Sequence, residues 1–384
     1  MTAAEIALVT YSTKPRGGVV HTLSLAESLT SAGVPVHVVA LGEPGSGFYR
    51  PTSAPHTIVP APSHAETLEE RVFSAVDALE RGLRSFEGRF ALVHTQDCIS
   101  ARAAARVRDA GAGPRVVRTV HHIDDFTTGA LIECQRQAVL EPDMVLVVSD
   151  VWRRLLREEF GVDAHVVHNG VDVERFAPID PTRRADLRSE VDAGDGFLFL
   201  AVGGVEPRKG SIHLFEAFHQ VHGKLDPPPV LAIIGGQSFQ DYRQYRADAL
   251  DRLEQLGLRL GHDVVLLGTV PDADMAAWYR AADALAFPSV KEGFGLAVLE
   301  AMSADLPVVT SDLPVFREYL VPGRDALMAP VGDVPALVDA LHAVASDSAL
   351  RSDLVTAGRR IAARFTWSAC AAEHRAVYSR LLAG

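Results

Sequence analysis

The chain has 384 residues, of which 48% are hydrophobic, and a formal net charge of −12 at pH 7. This length exceeds what one hydrophobic core accommodates comfortably and predicts two domains of roughly 150 to 200 residues each. The negative charge argues against general nucleic-acid binding, which depends on concentrated Lys and Arg. The three cysteines, Cys98, Cys134 and Cys370, lie far apart, so the sequence indicates neither a disulfide framework nor a zinc site and favours a reducing cytoplasm.

An apolar run at residues 6–11 begins almost at the amino terminus, without a basic region or a cleavage site before it. We therefore expect a first strand there rather than a leader, and a cytoplasmic protein. No window approaches the roughly 18 unbroken apolar residues that a membrane-spanning helix requires. Basic helical patterns at 101–108 and 151–157 leave peripheral contact with the inner face of a membrane open, and solvated helix faces explain them equally well.

Short valine-rich runs alternate with longer helical patterns, which is typical of parallel sheets covered by helices on both faces. The predicted strands are 6–11, 36–41, 92–95, 116–120, 144–148 and 165–168 in the first half, and 198–202, 231–234, 264–267, 285–287 and 308–310 in the second. A domain junction is predicted between the two sets, around 169–178. The sequence thus predicts an α/β fold of two Rossmann-like, doubly wound domains, 1–175 and 176–366.

Glycines follow the first predicted strand and precede a helical pattern. Gly17 and Gly18 could hold a diphosphate against the first turn of that helix, because the N–H groups there point outward. The pattern matches neither the dinucleotide fingerprint nor a P-loop, so a plain strand-to-helix loop is an equal alternative.

A histidine closes the predicted strand 116–120. His121 is a candidate catalytic residue, although a histidine in this position is commonly only hydrogen-bonded in place. The neighbouring His122, Asp124 and Asp125 raise the alternative of a metal site. An extended segment sends alternate side chains to opposite faces, which argues against a three-ligand cage there.

The second half carries two adjacent cations on a glycine-flanked loop after the strand 198–202. Arg208 could bind phosphate oxygens through its planar fork, and Lys209 could add a mobile point charge. Gly203 and Gly210 bound this loop. Adjacent Arg and Lys are often only solvated, but the position after a strand favours a diphosphate site.

Two carboxylates bracket the strand-to-helix turn that follows residues 285–287. Gly293 and Gly295 let the backbone approach a ligand, and a helix beginning at Leu296 offers free N–H groups to phosphate or sugar. Glu292 lies in the turn and Glu300 about one turn into the helix, so both could face one crevice. A tight turn with two solvated carboxylates is the simpler alternative.

With these motifs the chain resembles the GT-B glycosyltransferases of the large retaining family 4, nearly from end to end. The most specific match is the Glu-x7-Glu motif from Glu292 to Glu300, followed by the Gly-Gly-x-x-x-Arg-Lys-Gly loop from Gly203 to Gly210. Weaker matches are the Gly17-Gly18 loop, His121, the connector at 167–172 and a last helix after Trp367.

The resemblance implies two Rossmann-like domains facing each other across a cleft, the first completed by a C-terminal helix at 367–384. It implies that Arg208 and Lys209 bind the diphosphate of a nucleoside-diphosphate sugar, that Glu300 binds the ribose and Glu292 the transferred sugar. Donor contacts are further implied for Gly17, Gly18, Gly203, Gly293, Phe294, Gly295 and Leu296. His121 would approach the sugar, with its main-chain carbonyl stabilising positive charge at the anomeric carbon.

The implied reaction moves a hexose-type sugar to an acceptor hydroxyl with retention, and no metal or other cofactor is expected. The one Asp-x-Asp, Asp272 to Asp274, opens a helical pattern, where capping explains it more simply than metal binding. The acceptor is a small molecule, a glycan or a lipid, and the sequence does not specify an oligomeric state. Alternatives are a GT-B epimerase or phosphorylase, although no pyridoxal-phosphate lysine motif is recognisable, and a non-catalytic sugar-nucleotide sensor.

Overall fold

A computed structural model describes residues 5–62, 66–111, 113–236 and 242–383 of the chain. The chain divides into two compact units, one of Met1–Gly170 with Trp367–Gly384 and one of Val171–Thr366. The predicted ranges 1–175 and 367–384 therefore include some positions, at 1–4 and 384 among others, that lie outside the described residues.

The first unit is a parallel sheet with a helix between successive strands, except between β2 and β3. Its strand order is β3-β2-β1-β4-β5-β6-β7. The strands are β1 Glu5–Thr10, β2 Val36–Gly42, β3 His56–Pro60, β4 Phe90–Thr95, β5 Arg115–Val120, β6 Met144–Val147 and β7 His165–Val166. The helices among them are α1 Gly17–Ser31, α2 Leu68–Arg84, α3 Cys98–Asp109, α4 Gly129–Leu140 and α5 Asp150–Phe160.

The second unit repeats this architecture with the strand order β10-β9-β8-β11-β12-β13. Its strands are β8 Leu198–Val202, β9 Val230–Ile234, β10 Val264–Gly268, β11 Ala284–Phe287, β12 Val308–Ser311 and β13 Leu327–Ala329. Its helices are α6 Pro181–Glu190, α7 Ser211–His222, α8 Arg243–Gln255, α9 Asp272–Ala281, α10 Leu296–Ser303, α11 Pro314–Arg317, α12 Val334–Ser346 and α13 Ser348–Ala362.

The final helix, α14 Trp367–Ala383, belongs to the first unit. Its residues Cys370, Val377 and Tyr378 are buried in the same apolar cluster as Leu23 of α1. The Tyr378 hydroxyl also lies 2.7 Å from Nδ1 of His94 in β4. The end of the chain thus packs into the unit that its beginning forms.

Both sheets are covered on both faces, which explains why their strands are valine-rich rather than alternating. In the first unit one residue from each of the five central strands is fully buried in one cluster: Leu8, Val38, Leu92, Val117 and Leu146. The second unit buries one residue from each of the strands β8 to β12 in one cluster: Phe199, Leu231, Val264, Ala286 and Val309. The predicted α/β class with two doubly wound parallel sheets is confirmed.

The predicted strands all form, but two edge strands are missing from the prediction. β3 carries the sequence His56-Thr57-Ile58-Val59-Pro60, of which only Val59 is buried, and β13 has only three residues. An edge strand has one neighbour and one open side, so it needs no continuous apolar run. Residues 171–175, predicted to lie in the first half, contact the second unit: the Val171 N–H donates to the Phe365 carbonyl at 2.9 Å, and Arg175 pairs with Asp272 at 2.8 Å.

Candidate functional site

The two motif-bearing loops of the second unit lie side by side because β8 and β11 are neighbours in the sheet. Phe199 pairs with Ala284 in parallel register, so the loops at 203–210 and 288–295 both leave the sheet at the carboxyl ends of its strands. We call this side of the sheet the carboxyl edge. The Val290 N–H donates to the Arg208 carbonyl at 2.8 Å and joins the loops directly. β8 has β9 on its other side, which makes the carboxyl edge here the switch point where doubly wound sheets bind ligands.

Lys209 and Glu292 form an ion pair at the carboxyl edge. The Lys209 Nζ lies 2.6 Å from Oε1 of Glu292, and Arg208 Nη1 lies 3.6 Å from the same oxygen. The Lys209 and Glu292 side chains are only 12% and 8% exposed. The Lys209 ammonium also lies 4.3 Å from the centre of the Phe287 ring, within cation–π range. Three of the four predicted catalytic residues thus converge on one point.

The electrostatics of this pair follow from its burial. Burial lowers the pKa of the Lys209 ammonium, which the Glu292 carboxylate partly opposes. Burial also acts to raise the pKa of Glu292, but attraction to Lys209 and Arg208 outweighs it, so the pKa of Glu292 lies below its ordinary value. Glu206 Oε2 lies 3.8 Å from Arg208 Nη2. Two cations therefore face two carboxylates, and the charge of the site is balanced internally.

Gly203 and Gly210 are two positions of the cation-bearing loop that require glycine. Gly203 has φ +125°, and a Cβ there would collide with the Lys209 side chain. Gly210 has φ +66°, and a Cβ there would collide with the Pro288 carbonyl oxygen. Both conformations belong to the left-handed region that side chains disfavour. Gly203 leaves room for the Lys209 side chain to pack against the backbone, and Gly210 lets its loop approach the loop that begins at Pro288.

The helix α10 begins where the second loop ends. Gly295, with φ +89°, precedes the first helical residue, Leu296, and Gly293 lies in the preceding loop. The first N–H groups of a helix have no partner within the helix, so Leu296 and Ala297 direct donors toward the carboxyl edge. The predicted glycine-containing turn before this helix is present, and its attraction for anions stays a prediction.

Phe294 differs from its neighbours because its ring is part of the core. The ring is 3% exposed and packs 5.3 Å from Tyr319 and 5.5 Å from Phe365, measured between centroids. Its carbonyl accepts a hydrogen bond from the Tyr319 hydroxyl at 2.8 Å. Its side chain stabilises the loop from inside. Any contact of Phe294 with a sugar donor would therefore come from its main chain.

Glu300 lies on α10 with a partner that the sequence does not reveal. The Tyr279 hydroxyl of α9 donates to Glu300 Oε2 at 2.7 Å, and the Tyr279 side chain is fully buried. Burial raises the pKa of Glu300, and the hydrogen bond from Tyr279 opposes that effect in part. The hydrogen bond from Tyr279 fixes one carboxylate oxygen of Glu300. It thereby orients the carboxylate for a further hydrogen bond from another hydroxyl or N–H group.

In the first unit the predicted residues lie at the carboxyl ends of three neighbouring strands. Gly17 and Gly18 open α1 after β1, Gln96 follows β4, and His121 follows β5. A Cβ on Gly18 would lie 3.8 Å from the His121 ring. His121 Nε2 lies 2.9 Å from the Gln96 side-chain oxygen. The structure therefore brings Gly18 and His121 together, with Gln96 as a partner that the sequence analysis missed.

His121 is a neutral imidazole in this setting. Burial, together with the nearby charges of His122 and Arg118, lowers its pKa to about 3. The ring of His21, which is fully buried on α1, packs edge-on against it with centroids 4.7 Å apart. Gln96 could have been found by the rule that singled out His121, since it also directly follows a predicted strand.

Four of the alternative metal ligands lie in pairwise contacts rather than in one cluster. His122 Nε2 lies 3.3 Å from Asp124 Oδ1. Asp272 and Asp274 lie in the first turn of α9, where they pair with Arg175 and Arg183 at 2.8 and 2.7 Å instead of capping the helix with their side chains. Within the described ranges, no group of three or more His, Cys, Asp or Glu side chains is arranged to hold a metal. Metal independence stays a prediction.

The basic faces singled out for membrane contact are occupied by ion pairs. Their partners are Glu141 for Arg102, Asp77 and Glu80 for Arg106, Asp150 for Arg153, and Asp163 for Arg157. Pairing leaves these helices with little excess positive charge to attract an anionic surface. In the part of the chain that the structure describes, no helix is long and apolar enough to cross a bilayer. All three cysteines are buried free thiols.

The fold has two Rossmann-like units, and the second carries paired basic side chains, a glycine turn and a glutamate-bearing helix. These features place the protein in the GT-B class of glycosyltransferases. The sequence models of two families match this chain: "Glycosyltransferase Family 4" over residues 15–175 and "Glycosyl transferases group 1" over residues 183–361. The chain belongs to glycosyltransferase family 4, and it is an enzyme of the transferase class.

Named relatives agree with this assignment, and a solved structure agrees with the fold. The chain is 31% identical over 375 residues to a phosphatidyl-myo-inositol mannosyltransferase of Mycobacterium leprae, covering 96% of this chain and 94% of the relative. It is 30% identical over 314 residues to a D-inositol 3-phosphate glycosyltransferase of Xylanimonas cellulosilytica, covering 77% and 73%. In fold it is similar to a sucrose-phosphate synthase from Thermosynechococcus elongatus, with a TM-score of 0.82, 22% identity and 99% of each chain covered.

Proposed function

We propose that this enzyme transfers a hexose-type sugar from a nucleoside-diphosphate sugar to an acceptor hydroxyl, with retention of configuration at the anomeric carbon. One observation carries the proposal. Lys209, Arg208 and Glu292 meet at the carboxyl ends of β8 and β11, beside the first turn of α10. Two cations next to helix N–H groups suit a diphosphate, and a carboxylate in contact with them suits a sugar hydroxyl.

The donor groups can be assigned to individual residues on this basis. Lys209 and Arg208 bind the diphosphate, with the N–H groups near Gly293, Gly295 and Leu296 as further donors. Glu292 accepts hydrogen bonds from the transferred sugar. Glu300, held on one side by Tyr279, accepts from the ribose hydroxyls with its remaining capacity.

The reaction needs a leaving group that departs with its charge neutralised. The bond between the anomeric carbon and the phosphate oxygen breaks, and the acceptor oxygen bonds to the same face of that carbon. The departing phosphate oxygen takes the proton of the acceptor hydroxyl, so no protein nucleophile is used. Arg208 and Lys209 stabilise the negative charge that develops on the phosphate, which removes the need for a divalent ion.

In the first unit we assign His121 to the transferred sugar and Gly17 and Gly18 to the diphosphate. A neutral His121 ring suits this role because an imidazolium would repel a carbon that gains positive charge. The carbonyl of His121 is the group that faces developing positive charge. The first turn of α1 offers N–H donors at the two glycines.

The acceptor is proposed from the relatives alone. Both named relatives act on an inositol that carries a phosphate, as a lipid in one case and as a free phosphate ester in the other. We propose a phosphorylated inositol as the first acceptor class to test for this chain. A lipid form of the acceptor would bring the enzyme to a membrane surface.

A thermal-shift screen of nucleoside diphosphates and their sugar conjugates tests the donor, because a ligand that binds only the folded state raises the melting temperature. The screen is followed by an assay for nucleoside diphosphate release with inositol phosphates. Release that depends on the acceptor supports transfer. A product that retains the nucleotide indicates an epimerase, and binding without release under any acceptor indicates a sensor.

A further inference from the structure

We propose that Gln96 is a positioning residue for His121, and that it holds the imidazole in the tautomer with hydrogen on Nε2. The assignment of His121 to the reaction rests on the proposed function. The direction of the hydrogen bonds around His121 is inferred from the geometry of the first unit alone.

Gln96 lies between two histidines, of which His94 is fully buried and His121 is partly buried. Its Oε1 is 2.9 Å from His121 Nε2, and its Nε2 is 3.3 Å from His94 Nε2. Gln96 is 4% exposed and His94 is fully buried, so water has little access to the contact between them. The glutamine amide therefore bridges the ends of β4 and β5 through two ring nitrogens.

The chemistry of the amide sets the direction of both hydrogen bonds. A carbonyl oxygen only accepts, so His121 Nε2 must carry the hydrogen that it donates to Gln96. An amide nitrogen only donates, so His94 Nε2 must be the unprotonated nitrogen of that ring. A neutral His94 then carries its hydrogen on Nδ1. The result for His121 is a bare Nδ1.

The contacts of His94 are compatible with this orientation of the amide. Thr119 Oγ1 lies 2.8 Å from His94 Nε2 and can donate to it. Tyr378 Oη of α14 lies 2.7 Å from His94 Nδ1 and can accept from it. Both contacts agree with the hydrogen placement that Gln96 requires. Since burial keeps the pKa of His94 well below its ordinary value, the ring stays neutral and the order is stable.

On its other side His121 is enclosed by His21. The His21 ring packs edge-on at 4.7 Å, and its own Nδ1 lies 2.9 Å from the Asn169 side-chain oxygen. His21 limits the tilt of His121 by contact, but it makes no hydrogen bond to that ring. Gln96 is thus the group that selects the tautomer.

Nitrogen-15 NMR of the histidine rings tests the proposal, since protonated and bare ring nitrogens differ widely in chemical shift. We expect His121 in the intact protein to show a protonated Nε2 and a bare Nδ1 at pH 7. Gln96→Glu keeps an acceptor at the same place and should leave this pattern unchanged. Gln96→Leu removes the acceptor and should give a mixture of tautomers.

Turnover supplies the second measurement. We expect Gln96→Leu to lower kcat about tenfold and to leave the donor KM within about twofold, because orientation is lost while donor contacts in the second unit remain. Gln96→Glu should restore kcat to within about threefold of the original. Thermal unfolding of both variants shows whether they are folded.

Two results would overturn the proposal. One is a protonated Nδ1 on His121 in the intact protein, and the other is a tautomer reversal in Gln96→Glu, since either means that the amide donates to His121. The NMR outcome stands even if no donor is ever turned over, which separates this inference from the proposed function.

Discussion

The Lys209 ammonium lies 2.6 Å from the Glu292 carboxylate, although the two residues are 83 positions apart in the chain. With Arg208 and Glu206 nearby, this contact balances the charge of the second-unit site. A diphosphate must therefore compete with a carboxylate for each cation. We expect the donor to reorder these pairs, with Lys209 moving from Glu292 to phosphate while Glu292 turns to the sugar.

Loss of the Lys209 charge should remove turnover. We expect Lys209→Ala to reduce nucleoside diphosphate release at least about 100-fold, the magnitude typical for deleting a group that stabilises charge in a transition state. Lys224→Ala is the matched control, because Lys224 is exposed just after α7 in the same unit. Original rates in Lys209→Ala would contradict the diphosphate role.

Glu292 should be as necessary as its partner. Glu292→Gln keeps the shape of the side chain but removes the charge that opposes the effect of burial on Lys209, so the pKa of Lys209 falls further. We expect loss of turnover with an intact fold, measured by product release and by thermal unfolding. A variant with ordinary kcat would remove Glu292 from the mechanism.

Acid should weaken donor binding through Glu300. Its pKa is raised above the ordinary 4.5 by burial, so on acidification it takes up a proton earlier than a solvated glutamate and loses its capacity to accept from ribose. The donor KM should rise as the pH falls toward that raised pKa. Tyr279→Phe removes the hydrogen bond that lowers the pKa of Glu300, so its rise in KM should begin at higher pH. Coincident profiles would show that Tyr279 does not act through Glu300.

Chelation should leave activity unchanged. The Asp-x-Asp carboxylates are engaged by Arg175 and Arg183, and the cations of the site are protein side chains. Rates measured with and without excess EDTA should agree within error. Activity that fell to background with EDTA and returned with Mg²⁺ or Mn²⁺ would make the prediction wrong.

The two glycines that flank α7 should respond differently to alanine. Gly210 has φ +66° and no room for a Cβ next to Pro288, so Gly210→Ala should lower the free energy of unfolding by about 2 to 4 kcal/mol. Gly223 has φ −75° and its nearest atom to an added Cβ is 3.9 Å away. Gly223→Ala should change stability by less than about 1 kcal/mol. Equal effects in denaturant titrations would refute the strain argument.

The sequence predicts the fold well where a strand is buried on both faces, because its residues then form a continuous apolar run. Strands such as β5 and β9 are enclosed on both faces and read as valine-rich or isoleucine-rich segments. β3 and β13 lie at sheet edges, where one side is open and no such run is needed. Their assignment depends on the finished sheet rather than on local composition.

The candidate site is predictable in its parts but not in its contacts. Arg208, Lys209 and Glu292 each stand out beside glycines after a strand. Their meeting depends on β8 and β11 being neighbours, which is a property of strand order and not of spacing. The role of Tyr279 could not be predicted, because an aromatic residue on a helix is usually a core residue. Only the structure shows that its hydroxyl contacts Glu300.

The position of α14 has a consequence for biosynthesis. Its buried face fills the core of the unit built by residues 5–170, so that unit lacks part of its packing until residues 367–383 have been translated. Domains ordinarily mature in order of synthesis, the amino-terminal one first. In this protein the unit that starts the chain receives this helix only after the residues of the second unit have been synthesised.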